Sequence, residues 1–255
     1  MREVWAGGDA YEAYIGRRSR LVAGPFLDWL DAGPGRRWLD VGCGTGALTA
    51  AIVARAAPAG VVGVDPSEQH VAWAAANVAG ARFVVGDADH LPSDPVDVVV
   101  SGLALNFMPD AGAAVRAMRD RGSTVAAYVW DYAGGMELLR RFWDAAIALD
   151  PDAAELDEAT RFPICRPDRL RTIWRDAGLV DGATAPIDVP TVFGDFDDYW
   201  TPFLGGQGPA PGYVAGLDDR RRDRLRDRLR LDLPAANDGA IHLTARAWAV
   251  RGTME

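Results

Sequence analysis

The sequence predicts a doubly wound α/β fold, a mostly parallel sheet with helices on both faces. Three observations predict it. Short apolar runs bounded by Gly and Asp alternate with helix-length segments, the rhythm of successive βαβ units. WLDVGCGTGALT, residues 38–49, reads as a strand, a glycine turn and a helix start. The run from Pro95, PVDVVVSGLAL, is almost continuously apolar, as a central strand buried on both faces should be.

In chain order, the first strand is placed at 37–41 and is followed by a helix over about 47–57. GVVGVD (60–65) is the second strand, with a helix over about 67–78. ARFVVGD (81–87) is the third strand, and the fourth starts at Pro95. A helix near 111–119 leads through Gly122 into STVAAYVWDY, the fifth strand. Beyond Tyr132 the rhythm changes. MELLRRFWDAAIAL (136–149) has helical periodicity, and Pro167 to Ala177 reads as a helix closed by Gly178. A sixth strand is expected within 179–192. AIHLTARAWAVRG alternates as a final strand, an order compatible with a hairpin-like pair closing the sheet.

Composition excludes several function classes. The net charge is -9, whereas a nucleic-acid binder needs a basic surplus to neutralise phosphates. The arginine-rich stretch from Asp218 to Asp232 interleaves Arg with Asp at helical spacings, which predicts a solvated, self-paired face. The opening twenty residues lack a signal-peptide core and no apolar run is long enough to span a bilayer, so a cytoplasmic location is expected. Two distant cysteines and three scattered histidines show no metal spacing, and no metal site is expected.

The chemistry sits in the glycine loop. Gly42, Gly44 and Gly46 follow a strand and precede a helix whose free N–H groups and positive dipole end face the turn. The string also aligns as GxGxxA through Ala47, so a nicotinamide oxidoreductase is a competing reading. Asp40 decides against it. A carboxylate at the mouth of the loop repels a pyrophosphate by about 1 kcal/mol or more, and favours the cationic amino and sulfonium groups of S-adenosylmethionine. The chain also contains no lysine, and so no Tyr-xxx-Lys pair. Asp65 lies about twenty residues past the loop, the distance at which an acid receives ribose hydroxyls. Asp87, ending the third strand, is placed to accept an adenine amino group or to fix the neighbouring backbone.

LDVGCGTG, VVGVDPS and GDADHLP together resemble the class I S-adenosylmethionine-dependent methyltransferases, and among them the ubiquinone/menaquinone-biosynthesis group, over about residues 11–131. The resemblance implies a seven-stranded Rossmann-like sheet with an antiparallel last strand. It implies that Asp40, Gly42, Gly44 and Gly46 contact the methionyl part and Asp65 the ribose. Pro66 and Ser67 would flank the adenine, Asp87 and Ala88 would lie at its amino edge, and Ser101 to Leu103 would border the methyl side. It also implies an N-terminal segment, here with Tyr11, Tyr14 and Arg17, that closes over the cofactor. The organisation expected is a single domain over 1–255. It comprises an N-terminal helical segment (1–34), a cofactor-binding half (35–132) and a C-terminal half (133–255) with helical cap insertions at about 136–165 and 193–238.

Methyl transfer from a sulfonium needs chiefly an in-line approach and exclusion of water. A base is required only for an acceptor that must lose a proton. His90, Asn106, Asp131 and Tyr132 lie near strand ends, but none has a partner visible in sequence and no catalytic residue is assigned. His70 and His242 read as scaffold positions. SGLALNFMPD lacks the Asn/Asp-Pro-Pro-aromatic pattern of enzymes acting on amide or exocyclic nitrogens, which points to a small-molecule acceptor. The aromatics at 142, 143, 193, 199 and 203, among others, either line a pocket for an apolar or aromatic molecule or form a core. A non-catalytic S-adenosylmethionine or S-adenosylhomocysteine binder would present the same cofactor residues.

Overall fold

The computed structural model describes residues 17–205 and 208–255. Helix α1 (Arg17–Leu30) precedes β1 (Arg37–Val41), α2 (Ala47–Arg55), β2 (Gly60–Asp65), α3 (Glu68–Asn77) and β3 (Arg82–Val85). The chain continues through β4 (Val98–Gly102), α4 (Ala111–Arg119), β5 (Thr124–Trp130), α5 (Glu137–Leu149) and α6 (Pro167–Asp176). It ends with β6 (Val180–Phe193), α7 (Asp219–Asp232) and β7 (Ile241–Thr253). The strands form one seven-stranded sheet in the order β3-β2-β1-β4-β5-β7-β6. β1 to β5 run parallel, and the β5-β7-β6 end is antiparallel.

The chain winds outward from β1 through β3, then returns to lay β4 on the other side of β1. Two loops therefore leave the carboxyl ends of β1 and β4 in opposite directions, the position where open α/β sheets bind ligands. The apolar fourth strand is central, as its composition requires, with Val98, Val99 and Val100 at most 2% exposed. β6 is the outer strand. That position tolerates Pro186 and Pro190, which have no N–H to give to a ladder.

The chain divides into two compact units. The first comprises Ser19–Val129, Ile164–Ile187 and Ala247–Glu255. Its core holds Phe26, Trp38, Leu39, Ile52 and Trp174, all at most 1% exposed. The Trp174 indole donates to the Val125 carbonyl at 3.1 Å, which satisfies the polar atom of a buried ring. Arg251 donates to the Trp29 and Leu30 carbonyls at 3.3 and 2.9 Å, capping the orphan acceptors at the end of α1.

The second unit takes in Trp130–Pro163 and Asp188–Arg246, and holds nearly all of the segments expected as cap insertions. Its centre is aromatic. Phe142 stacks on Phe203 with centroids 4.5 Å apart, and meets Trp143 edge-on at 5.1 Å. Tyr199 lies 5.3 Å from Phe193 and 5.4 Å from Phe203. Phe142, Trp143, Phe193, Tyr199 and Phe203 are fully buried. Of the two roles open to these rings, they fill that of core. Trp143 donates to the buried Glu158, and Arg140 pairs with the buried Asp157 at 2.7 Å. α7 carries the self-pairing its sequence implies, with Arg222–Asp219 and Arg228–Asp232 along the helix.

Among the described residues, no helix is long and apolar enough to cross a membrane, and no group of three potential ligands could hold a metal ion. Phe142→Ala should lower stability by about 3–5 kcal/mol, the cost of emptying a packed aromatic site. Chemical denaturation checks this; a loss below about 1 kcal/mol would mean the stack is not a core.

Candidate functional site

All the strand-end residues singled out between positions 40 and 106 lie in the first unit. The turn after β1 is drawn onto its neighbour by two N–H groups, Gly42 and Cys43, which donate to the Val64 carbonyl at 2.8 and 3.0 Å. Gly42 has φ +74°, and a Cβ there would stand 2.5 Å from the Ala104 methyl. Only glycine allows the loop after β4 to approach so closely. Gly44 is also left-handed, at φ +52°, and a Cβ on it would meet nothing within 4 Å. Its outer face is open. Gly46 caps α2 without a side-chain hydrogen bond, so no cap side chain occupies the start of that helix. Cys43 packs beside Gly63; burial and the two nearby acids push its thiol up, as suits a packing residue rather than a nucleophile.

Asp65 ends β2, and its carboxylate joins three parts of the unit. Oδ2 accepts from the Gly44 N–H at 2.9 Å; Oδ1 accepts from the Ser67 N–H at 2.9 Å and lies 3.3 Å from His70 Nδ1. Burial alone would raise its pKa, but the bonds from His70, Ser67 and Gly44 outweigh it and hold the group below the usual carboxylate range. Ser67 caps α3, its hydroxyl accepting from the His70 N–H at 3.3 Å. Pro66 beside it is exposed, and Ala88 is half-buried.

Asp40 corrects the expectation of an acid at an open loop mouth. It is 0% exposed, beneath the turn rather than at its rim. Thr49 Oγ1 donates to Oδ2 at 2.7 Å, while Oδ1 has no hydrogen-bond partner among the described residues. Burial pushes its pKa up to about 7; the Thr49 hydroxyl opposes this, and the Asp65 charge adds to it. Asp87 is a half-exposed turn residue, accepting from the Asp89 N–H at 3.1 Å and lying 2.9 Å from His90 Nδ1. It fixes the neighbouring backbone, one of the two roles its position offers.

The β4 end supplies the other wall. Ser101 is 0% exposed and its hydroxyl lacks a partner among the described residues, as does the amide nitrogen of Asn106 five residues later. Leu103 stands at φ +58°, a left-handed conformation that costs a non-glycine residue about 1–3 kcal/mol, and donates its N–H to the Tyr128 carbonyl at 2.8 Å. Of the remaining base candidates, His90 is largely exposed beside Asp87, and Tyr132 is buried with its ring 5.8 Å from Phe162. Asp131, in the second unit, accepts from the Gly134 and Gly135 N–H groups at 3.2 and 2.9 Å and so holds a turn. Tyr11 and Tyr14 lie outside the described residues; Arg17 opens α1.

Sequence reasoning missed Thr49 and His70. Both occupy the third helical position after a strand-end acid, Thr49 behind Gly46 and His70 behind Ser67, and that shared position is the signal that would have found them. Two surface hollows of the unit, one along Arg171, Trp174 and Val180 and one along Asp31, Arg36 and Arg251, contain none of the candidate residues.

Residues 39–121 match the family model described as a methyltransferase domain. No curated protein matches the chain. Among solved structures, a putative methyltransferase from an antibiotic biosynthesis pathway of Anabaena variabilis gives a TM-score of 0.61 at 17% identity, covering 92% of this chain and 97% of that one. Haemonchus contortus phosphoethanolamine N-methyltransferase 2, in complex with phosphomonomethylethanolamine and S-adenosylhomocysteine, gives 0.53 at 15% identity over 97% of this chain and 57% of that one. The 4+2 cyclase SpnF gives 0.54 at 16% identity over 99% and 87%. At such identities the likeness is one of fold.

Asp40 yields a prediction independent of any ligand. An acid whose folded pKa is raised from near 4 to about 7 favours folding while protonated, so its contribution falls as pH climbs through that window and is constant above it. D40N keeps an acceptor for Thr49 and removes the charge. It should stabilise the protein at pH 8 by about 2–4 kcal/mol and have little effect at pH 4. Denaturation at both values measures this; equal effects at the two would contradict it. Residues 39–121 match a methyltransferase-domain model, within a chain that has a Rossmann-like methyltransferase fold.

Proposed function

We propose that this chain binds S-adenosylmethionine at the Gly42–Gly46 turn and Asp65, and transfers its methyl group to a small-molecule acceptor. The observation that carries the reading is the 2.9 Å bond from the Gly44 N–H to Asp65 Oδ2. It ties strand-end acid and glycine turn into one surface at the switch point, with an ionised carboxylate facing the space that a ribose diol would fill.

The orphan Oδ1 of Asp40 supports a cationic nucleoside over a pyrophosphate. A buried carboxyl poised near pH 7 ionises when a positive group approaches and stays protonated beside an anion, so a cation gains an attraction there that a pyrophosphate does not. In this reading Gly42 and Gly46 receive the methionyl part, and Pro66 and Ser67 flank the adenine. Asp87 and Ala88 stand at its amino edge, and Ser101 and Leu103 border the methyl side. When bound, the cofactor supplies a methyl group activated by its sulfonium. The residues of the chain orient that group and exclude water.

Of the base candidates, Asp131 is taken up by two glycine N–H groups. His90 pairs with Asp87 through Nδ1, an arrangement that leaves Nε2 to take a proton from an acceptor that must lose one. The aromatic rings of the second unit are spent on its core, so they no longer argue for an aromatic acceptor. The net charge of -9 supports a small molecule over a nucleic acid.

Calorimetric titration tests the cofactor. S-adenosylhomocysteine should bind and NAD should not; the reverse would overturn the reading. Asp65→Ala should weaken S-adenosylhomocysteine at least about tenfold, as expected for loss of hydrogen bonds to a charged group. Unchanged affinity would place the ribose elsewhere. Release of labelled methyl to a metabolite pool then separates transfer from silent binding, or from a cyclase-type role on the same fold.

A further inference from the structure

A carboxylate has about four lone-pair positions. On Asp65 three are in use, two on Oδ1 by Ser67 N–H and His70 and one on Oδ2 by Gly44 N–H. A ribose diol brings two O–H donors, one more than the remaining position can accept. One of the three present donors must yield. Gly44 and Ser67 donate through backbone held by the glycine turn and by the helix cap. His70 donates through a side chain 43% exposed, the one donor of the three that a change of rotamer can withdraw from a carboxylate only 10% exposed. We infer that His70 is a placeholder for the ribose: its ring occupies an acceptor position on Asp65 that the diol takes over, so His70 pairing and nucleoside binding exclude each other. This rests on the cofactor reading above.

A pH dependence with a definite sign follows. The hydrogen bond to Asp65 raises the His70 pKa above its ordinary value, burial opposing and the Asp65 charge assisting. Asp65, from β2, is the charged group that faces the ring; Glu68 stands two residues earlier on its own helix, and the Asp65 charge in turn raises the pKa of Asp40 in β1. A ring released by the ribose returns towards its ordinary pKa and gives up its proton. Protonated His70 therefore strengthens the ligand-free state, and affinity falls as pH drops from above the raised value to below the ordinary one.

S-adenosylhomocysteine, titrated calorimetrically at pH 6 and pH 8 into wild type and H70A, tests the inference. Wild type should bind several-fold more weakly at pH 6 than at pH 8. H70A should lose most of that difference and bind at least as tightly as wild type at pH 6. Weaker binding by H70A at both values would make His70 a support instead of a competitor and overturn the inference. A flat wild-type profile, or an unaltered pH difference in H70A, which Asp40 titration would produce, overturns it as well. Absence of binding at every pH fells the cofactor reading and this inference together, whereas binding with the wrong pH behaviour fells this inference alone.

Discussion

The hydrogen bonds of one carboxylate organise the candidate site. Asp65 draws the glycine turn inward through Gly44, starts α3 through Ser67 and anchors the first turn of that helix through His70. It can do so because β2 ends beside the β1 turn, where Gly42 and Cys43 already lean on the Val64 carbonyl. Without an acceptor at position 65 the Gly44 and Ser67 N–H groups would lose their shared partner, and unmet buried donors cost about 1–3 kcal/mol each.

The carboxyl ends of β1 and β4 carry unfavourable features. Among the described residues Asp40 is wholly buried with one oxygen unmet, Ser101 and Asn106 hold unmet polar atoms, and Leu103 occupies a left-handed conformation. Buried polar groups are normally satisfied, and strain of this kind gathers where a ligand or reaction needs it. Unmet buried atoms also occur at Trp38 in the first unit and at Arg141, Thr191 and Arg226 in the second, among the described residues, while two rings of the second unit's core are satisfied. The Trp143 indole meets Glu158, and the Tyr199 hydroxyl donates to the Leu138 carbonyl at 3.1 Å.

The parallel half of the fold was legible from pattern alone. Its strands are short, each is closed by Gly or Asp, and Val98–Val100 announce the centre by being apolar on both faces. The strand-end acids were legible as a set. Their environments were not, because burial is a property of neighbours distant in sequence. Asp40 sits dry because α2 folds Thr49 over it, and Asp131 serves two glycines that follow it in a turn. The aromatic residues were ambiguous for the same reason: ring content predicts burial, but only packing decides whether the rings enclose a space or fill it. His70 was read as scaffold although its helical position matched that of Thr49.

A crystal structure of the complex with S-adenosylhomocysteine tests the central claim most directly. Both ribose hydroxyls should lie within about 3.2 Å of the Asp65 carboxylate, with the Gly44 contact kept. A nucleoside seated elsewhere, or one whose ribose leaves Asp65 untouched, would contradict it.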